Sequence, residues 1–407
     1  MATGVRSPGA LLLALGLAGG ASGPAPARAQ AASPPAGFPA AIATPRALLD
    51  PFPRQLALGE EAVLSGQLAA GLGHPTVFVT LPSGWVREEP VSSRGSRFEA
   101  RIAFPAPGRY ALEVLADGAY GPEVAAELTA VAGTAPPAPE RRPDDGIEPD
   151  DPAEAEASVV RALNALRRDH DLAPLAAAPE LAAVARAHAE AMRAAGRVAH
   201  LLPASGHVGA RLTAAGIPYR AAYENVARAE TSLAAHRAAE ESPAHRWAML
   251  QPRPSRVGVG IARERLPSGE RLVYLAEVLV EPPDLGASSR LTPETQVREA
   301  LWRERERLGA PPLDLDPALD GLAHQAAARF LARDEIDLGD LARRAVALGP
   351  WRRVAAAQAF VTTSLGEVAR SEHLSDPRYH RAGVGVAIGD SRRYGPGRAF
   401  VVVLYSD

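Results

Sequence analysis

The first globular stretch of the chain alternates apolar and polar residues. Between residues 97 and 104 nearly every second residue is apolar, and a second alternating run follows the turn Pro107-Gly108. A period of two places alternate side chains on one face of a strand, so these runs predict two half-buried strands joined by a tight turn. Further runs of this kind predict a small antiparallel β-sandwich over residues 46–132, with the role of a spacer or adhesion module.

From residue 157 the pattern becomes helical. Apolar residues recur at i, i+3, i+4 and i+7 over residues 159–166 and again over residues 181–192. Two β-type runs follow, at residues 257–261 and 272–279. Helices first and strands last predict an α+β domain, which we place at residues 157–284.

The last segment, residues 285–407, repeats this pattern. Apolar, Arg and Pro residues of 297–323 stand at a constant offset from those of 159–185, and Gly383-Val-Gly repeats Gly258-Val-Gly. Self-similarity at a fixed offset indicates a tandem duplication. The chain is therefore predicted to hold an all-β sandwich followed by two α+β domains.

The sandwich is flanked by two predicted linkers, and a predicted cleaved signal precedes the first of them. Residues 1–29 combine Arg6, an apolar run over 10–17 and the small residues Ala27-Arg28-Ala29, which is typical of a secretory signal. The run is shorter than the roughly 20 residues that a membrane helix needs. We expect a secreted or periplasmic protein without a transmembrane segment in the mature chain, an uncleaved anchor being the alternative. The linkers are residues 30–45 and 133–156, rich in Pro with Ala or with Asp and Glu.

Composition excludes several classes of protein. The 407 residues include no cysteine, which excludes a disulfide-stapled domain and an acylated lipoprotein. The formal net charge of −3 provides no basic field, so we expect no nucleic-acid partner.

Candidate chemistry is confined to the first α+β copy. It carries His200, the pair Glu224-Asn225 and the run Ser242-Pro-Ala-His245-Arg246. Two neutral imidazoles and one carboxylate leave an open fourth position on Zn²⁺, so His200, Glu224 and His245 are candidate ligands of a divalent cation. The alternative is a hydrogen-bonded polar network without metal.

The order of these motifs resembles the CAP superfamily, in its bacterial, SCP-like extracellular branch. The resemblance covers residues 157–281 and, in framework only, 295–407. It implies an α-β-α sandwich in each copy, an antiparallel sheet with helices on both faces. It also implies a cavity lined by two His and two Glu, in which the His pair can hold a divalent cation. The second Glu position is Ser242 here, with Glu241 beside it as a substitute. The sandwich resembles, more weakly, bacterial immunoglobulin-like domains.

The second copy lacks these residues. Leu338 stands where the first copy has His200, no Glu-Asn pair occurs, and only His373 can stand in for His245. We therefore interpret the second copy as structural.

Other polar residues of the first copy have weaker assignments. Asn225 is expected to orient Glu224 or to cap a helix, and Arg246 to pair with Glu224 or Glu241 or to lie on a helix surface. His188 falls on a buried helix stripe and is expected to be a core residue. The remaining candidates, expected to be solvated, are His170, His207 and His236.

Two classes of function remain open at this stage. The first is a binding protein whose ligand is a lipid, a cell-wall fragment or a protein, because the chain has no Gly-x-Ser-x-Gly motif or other complete nucleophile signal. The alternative is an extracellular hydrolase or peptidase, with Glu224 as base on a metal-bound water or with Ser205 or Ser242 as nucleophile. A purely structural array is the third possibility.

Overall fold

The structure is a computed structural model that describes residues 12–14, 42–43, 46–134, 147–286, 289–348 and 355–407. The predicted signal segment and first linker lie almost wholly outside these residues, as do residues 135–146 of the second linker. The chain divides into two compact units, one of residues 1–211 and 221–280 and one of residues 212–220 and 281–407. In the described ranges no helix is both long and apolar enough to cross a membrane.

The first unit contains the predicted sandwich and the first α+β copy. Its strands are β1 (Leu12–Ala14), β2 (Ile42–Ala43), β3 (Ala47–Leu49), β4 (Gln55–Leu56), β5 (Glu61–Leu68), β6 (Gly73–Thr80), β7 (Val86–Glu89), β8 (Val91–Arg94), β9 (Arg97–Ala103), β10 (Gly108–Gly118), β11 (Gly121–Ala132), β12 (Ala176–Ala177), β13 (Ala221–Ala229), β14 (Arg256–Arg265) and β15 (Arg271–Glu281). The helices in this part of the chain are α1 (Pro152–Arg168), α2 (Pro179–Ala194), α3 (Val208–Ala214), α4 (Ser232–Glu241) and α5 (Pro243–Met249).

The sandwich consists of two sheets, with strand orders β4-β11-β10-β6-β7 and β2-β3-β5-β9-β8. The alternating residues predicted a turn between two strands, and β9 and β10 are those strands, but they lie in opposite sheets and do not pair. Tyr110 fixes the connection, since its hydroxyl donates to Ala106 O at 2.7 Å and accepts from Ala106 N at 2.9 Å. Alternate residues of both sheets form one buried core between them.

The first α+β copy is a five-stranded sheet, β1-β13-β15-β14-β12, with helices on both faces. On β14, Val257, Val259 and Ile261 pack with α1 and α4. Gly258 and Gly260 alternate with them and face α2, whose backbone approaches so closely that a Cβ on Gly258 would lie 2.1 Å from the carbonyl carbon of Leu181. The Gly-Val-Gly motif therefore allows a helix to pack directly on a strand.

Two boundaries differ from the sequence expectations. Helix α1 begins at Pro152, capped by the Asp151 side chain, so the last residues of the predicted linker are already helical. Strand β1 lies inside the predicted signal segment and pairs in parallel with β13, Leu12 being opposite Glu224. Cleavage at the predicted site would remove this strand from the sheet edge.

The second unit repeats the arrangement. Its helices are α6 (Pro293–Arg307), α7 (Pro317–Arg333) and α8 (Leu341–Ala347), with the 3₁₀ helices Leu365–Arg370 and Glu372–Ser375, and its strands are β16 (Asp314–Leu315), β17 (Ala355–Thr362), β18 (Arg381–Ser391) and β19 (Gly395–Ser406). The sheet order is β16-β18-β19-β17. One face packs on α6 and the other on α7 and α8. The α+β class predicted from the sequence is confirmed.

Candidate functional site

His200 and Glu224 form the first half of the site. His200 follows α2 and Glu224 lies on β13, and both side chains are fully buried. His200 Nδ1 is 2.9 Å from Glu224 Oε2. Arg211 of α3 donates to the other carboxylate oxygen of Glu224 and also donates to His200 O at 3.2 Å. The first imidazole is thus held by a carboxylate that is itself held by a guanidinium.

The charges of this trio follow from burial and proximity. Burial lowers the pKa of His200 to about 4, although Glu224 opposes this shift. Burial disfavours the Glu224 carboxylate as well, but Arg211 and the two nearby imidazoles outweigh it and lower the pKa of Glu224 to about 2. An ionised carboxylate only accepts, so neutral His200 donates from Nδ1 and keeps the lone pair on Nε2. Over the described residues, that Nε2 has no hydrogen-bond partner.

His245 is the second imidazole of the site. It lies in α5, where Ser242 occupies the N-cap position and Pro243 the first turn. The Ser242 side chain does not cap the helix. Its Oγ is 2.7 Å from His245 Nδ1. Burial and the nearby His200 lower the pKa of His245 to about 3, outweighing an interaction with the Val226 backbone that raises it. Its buried Nε2 again makes no hydrogen bond of normal geometry among the residues described.

A carboxylate that sequence reasoning missed completes this half. Glu113 of β10, in the sandwich, is fully buried, and Ser242 Oγ donates to its Oε2 at 2.6 Å. Burial raises the pKa of Glu113 to about 8. The alternation along β10 predicts an outward, solvated Glu113. The one sequence signal against this was Leu115, an apolar residue on the same outward face.

Glu241 does not take the predicted place in the cavity, and Arg246 has a partner that the sequence did not name. Glu241 points to solvent at the end of α4 and cannot serve as the second cavity glutamate. Arg246 pairs with Glu240 at 3.3 Å and donates to Gly84 O at 2.7 Å. The spacing of residues along a helix did not reveal that a neighbouring domain covers α5.

His188 and Ser205 form a second polar pair next to the site. His188 is buried on α2, as expected, and its Nε2 donates to Ala199 O at 2.9 Å. Its Nδ1 therefore accepts from Ser205 Oγ, 3.0 Å away. Burial lowers the pKa of His188. His188 is thus neutral and fully hydrogen-bonded.

Two histidines expected in solvent are buried instead. His236 Nδ1 lies 2.6 Å from Glu277 Oε1, and Asn225 donates to the other oxygen of Glu277 at 3.1 Å. Burial opposes a charge on His236, but Glu277 outweighs it and raises its pKa. Asn225 therefore holds Glu277, and over the described residues no hydrogen bond joins it to Glu224. His170 packs edge-on against Trp85 of the sandwich, 5.1 Å between ring centroids, whereas His207 is exposed, as expected.

The second copy carries none of this chemistry at the expected positions. Leu338 packs against an apolar cluster, and His373 lies among the rings of Tyr379 and Tyr405 at 5.8 and 5.5 Å.

Over the described ranges, no group of three or more His, Asp or Glu side chains is arranged to hold a metal ion. Glu224 has both oxygens engaged by His200 and Arg211, which is why the predicted three-ligand set is not assembled. Within the described site, Nε2 of His200 and Nε2 of His245 have no hydrogen-bond partner, and elsewhere in the first unit the same holds for Nε2 of His170 and of His236.

Comparisons with known proteins bear on the same region. The family model described as the cysteine-rich secretory protein family, CAP, matches residues 160–274. Among solved structures, an extracellular protein of Bacillus anthracis containing an SCP domain is 15% identical, with 60% of this chain and 90% of that chain covered and a TM-score of 0.29. A cysteine-rich secretory protein of Staphylococcus aureus is 11% identical, with coverages of 59% and 82% and a TM-score of 0.27.

An outer surface protein of Borrelia burgdorferi is 17% identical and covers 32% of this chain and 96% of its own, with a TM-score of 0.29. No curated protein matches the chain. These TM-scores are low, so the assignment depends on the family model and on the order of the motifs that line the site. Residues 160–274 of this chain form a domain of the cysteine-rich secretory protein (CAP) family.

Proposed function

We propose that the chain is an exported binding protein whose first CAP domain holds a divalent cation, Zn²⁺ or a similar ion, between His200 and His245. One observation carries the proposal. Each imidazole is buried and fixed through its Nδ1, and each has a buried Nε2 without a hydrogen-bond partner over the described residues. Buried polar atoms are nearly always paired, so two buried ring nitrogens without hydrogen-bond partners support the binding of a ligand at this place.

The protonation of the pair suits a cation. Metal-binding histidines must be neutral, and burial keeps the pKa values of His200 and His245 at about 4 and about 3. A carboxylate on the far ring nitrogen, as Glu224 provides for His200, is a common outer partner of metal-binding histidines. A bound cation would supply an electrophilic centre for an oxygen atom of an extracellular or cell-envelope ligand. Export itself depends on the signal predicted at residues 1–29.

Calorimetric titration of the purified mature protein with Zn²⁺ near pH 7.5 tests the cation site. We expect saturable binding in the wild type that is lost in a His200→Ala/His245→Ala variant. A His74→Ala/His324→Ala variant removes two exposed imidazoles instead and is the matched control. Absence of binding in the wild type, or equal binding in the double cavity variant, would overturn the proposal.

One observation supports hydrolysis as a second function. Ser205 Oγ lies 3.0 Å from the unprotonated Nδ1 of His188, whose ring is oriented by Ala199 O. That is the relation of a nucleophile to its base. The other candidates fit less well, because Glu224 is held by His200 and Arg211, and Ser242 lies between its carboxylate and its histidine. Labelling by a fluorophosphonate probe that disappears in Ser205→Ala would favour this function, and an unlabelled wild type would exclude it.

A further inference from the structure

Glu113 is an unusual residue for the outer face of a β-sandwich. It is a carboxylate without any exposed surface, on a strand that belongs to a different fold from the CAP domain. Within the described parts of the chain its Oε2 accepts from Ser242 of the CAP domain, and its Oε1 has no hydrogen-bond partner. Burying a carboxylate costs free energy, so a spacer domain gains nothing from Glu113 at this place.

The sandwich and the CAP domain meet around this residue. Phe78, Leu115, Ala244 and Ala248 form a small buried apolar cluster, and the rings of Phe78 and Trp247 are 5.4 Å apart. Polar contacts surround the cluster, among them the bond from Arg246 to Gly84 O at 2.7 Å and the bond from Leu201 N to Tyr120 O at 3.0 Å. These contacts seat Glu113 against the helix that carries His245.

The direction of the hydrogen bonds links Glu113 to His245. A serine hydroxyl has a single proton to donate. With Glu113 ionised, Ser242 gives that proton to the carboxylate, so its Oγ must accept from His245 Nδ1. His245 then carries its proton on Nδ1 and its lone pair on Nε2. His200 reaches the same state through its direct bond to Glu224.

We propose that the β-sandwich is part of the binding site of the CAP domain, with Glu113 as a positioning residue that orients His245 through Ser242. The two imidazoles then have equivalent supports, one carboxylate from the CAP domain and one from the sandwich. Without Glu113, the Ser242 hydroxyl is free to donate to Nδ1, which moves the proton of His245 to Nε2 and closes the site to a cation. The cation part of this inference rests on the proposed function, whereas the tautomer of His245 does not.

Ring-nitrogen NMR of the mature protein without added metal tests the proposal directly. Long-range ¹H–¹⁵N spectra distinguish the two neutral tautomers, and His245→Ala identifies the His245 signals. The spectra are recorded near pH 9, because burial raises the pKa of Glu113 to about 8. We expect the Nδ1–H tautomer in the wild type and a shift to Nε2–H in Glu113→Leu and in Ser242→Ala. Glu113→Gln, whose amide oxygen can still accept from Ser242, should keep the wild-type tautomer.

Glu99→Leu is the matched control, since Glu99 is an exposed carboxylate on the other sheet of the sandwich. It should leave His245 unchanged. If Glu113→Leu does not fold, Ser242→Ala breaks the same bridge from the CAP side and decides the outcome. An unchanged His245 tautomer in Ser242→Ala, or in folded Glu113→Leu, would overturn the proposal.

Zn²⁺ titration near pH 8.5, above the pKa of Glu113 of about 8, gives the second measurement. Outer-shell partners of metal ligands typically change affinity by about 10–100-fold, and we expect a loss of that size in Glu113→Leu and Ser242→Ala but not in Glu99→Leu. Wild-type affinity in the first two variants would contradict the inference and leave the cation site standing. If the wild type binds no Zn²⁺, the proposed function fails, and the tautomer measurement still decides the role of Glu113.

Discussion

At the scale of single residues, three of the buried histidines of the CAP domain, His200, His245 and His236, differ in their charged neighbours. Each of the three has a ring Nε2 without a partner over the described residues. The nearby His200 disfavours a charge on His245. His236 lies against the carboxylate of Glu277. Burial disfavours the charged form in all three, so the neighbouring groups decide which histidine can become an imidazolium.

Between pH 5 and pH 6.5 we predict different charge states for these histidines. His200 and His245 should stay neutral, because burial lowers their pKa values to about 4 and about 3. His236 should be protonated, because Glu277 raises its pKa. The contribution of these two residues to the free energy of unfolding should accordingly fall as pH drops below about 6.5, where His200 and His245 take up protons only when unfolded. The raised pKa values of Glu113 and His236 contribute in the opposite direction. An NMR pH titration of the ring nitrogens checks the charges, and a protonated His245 at pH 5.5 would refute them.

Arg211 should be needed for folding of the first unit. Its guanidinium is bonded to the buried carboxylate of Glu224 and neutralises its charge. Removing one partner of a buried ion pair leaves an uncompensated charge and typically costs about 3–5 kcal/mol. Arg211→Met should lower the free energy of unfolding by that amount, which a lower midpoint of urea unfolding would show. Adding Glu224→Gln should recover part of the lost stability. Arg161→Met, on the exposed side of α1, is the control. Equal midpoints in both arginine variants would contradict this role.

At the scale of elements, the sequence predicted what neighbouring residues determine. Alternation predicted the strands of the sandwich, the 3.6-residue period predicted α1 and α2, and the Gly-Val-Gly repeat marked equivalent strands in the two copies. These patterns record which face of an element is buried, and one face is enough to define the element. They could not show that β9 and β10 lie in opposite sheets, because strand pairing depends on contacts far apart in sequence.

The Gly-Val-Gly motif should be intolerant of side chains. A Cβ on Gly385 of β18 would lie 2.2 Å from the carbonyl carbon of Ala323 in α7, so a strand or a helix must move. Overpacking usually costs about 1–3 kcal/mol of folding free energy. Because the added Cβ would collide with helix backbone, we expect Gly385→Ala at the upper end of that range or beyond it. Gly321 lies in α7 with nothing within 4 Å of its position. Gly321→Ala should instead stabilise the second unit by roughly 0.5–1 kcal/mol. Thermal unfolding of both variants, followed by circular dichroism, separates the two effects, and similar midpoints would refute the explanation.

At the scale of the whole molecule, the candidate site could be predicted only in part. His200, Glu224 and His245 were found because they lie in motifs of one domain, and the structure places all three in the buried interior. Glu113 was not found, because it is 129 residues from Ser242 and lies on a strand whose outer face normally meets solvent. Only the docking of the sandwich on α5 buries it. For the same reason the sequence did not predict the contact of Arg246 with Gly84 or that of His170 with Trp85.

The docked arrangement predicts that the sandwich and the first CAP domain lose structure together. Phe78 is buried where the sandwich meets α5, whereas Phe98 is buried inside the sandwich core. Truncating either ring to alanine should cost about 3–5 kcal/mol. Hydrogen exchange measured by mass spectrometry should show faster exchange in both β6 and α5 for Phe78→Ala, because the cavity opens between them.

Phe98→Ala removes no side chain from that interface. It therefore reports only on whether opening of the sandwich is coupled to opening of α5. If the sandwich were an independent spacer, Phe98→Ala would speed exchange in its own strands and leave α5 as protected as in the wild type. If Glu113, Phe78 and Tyr120 make the sandwich a structural part of the CAP site, opening of the sandwich removes the cover of α5, and exchange in α5 rises in both variants. Unchanged protection of α5 in Phe78→Ala and Phe98→Ala would show that the two domains fold and act separately.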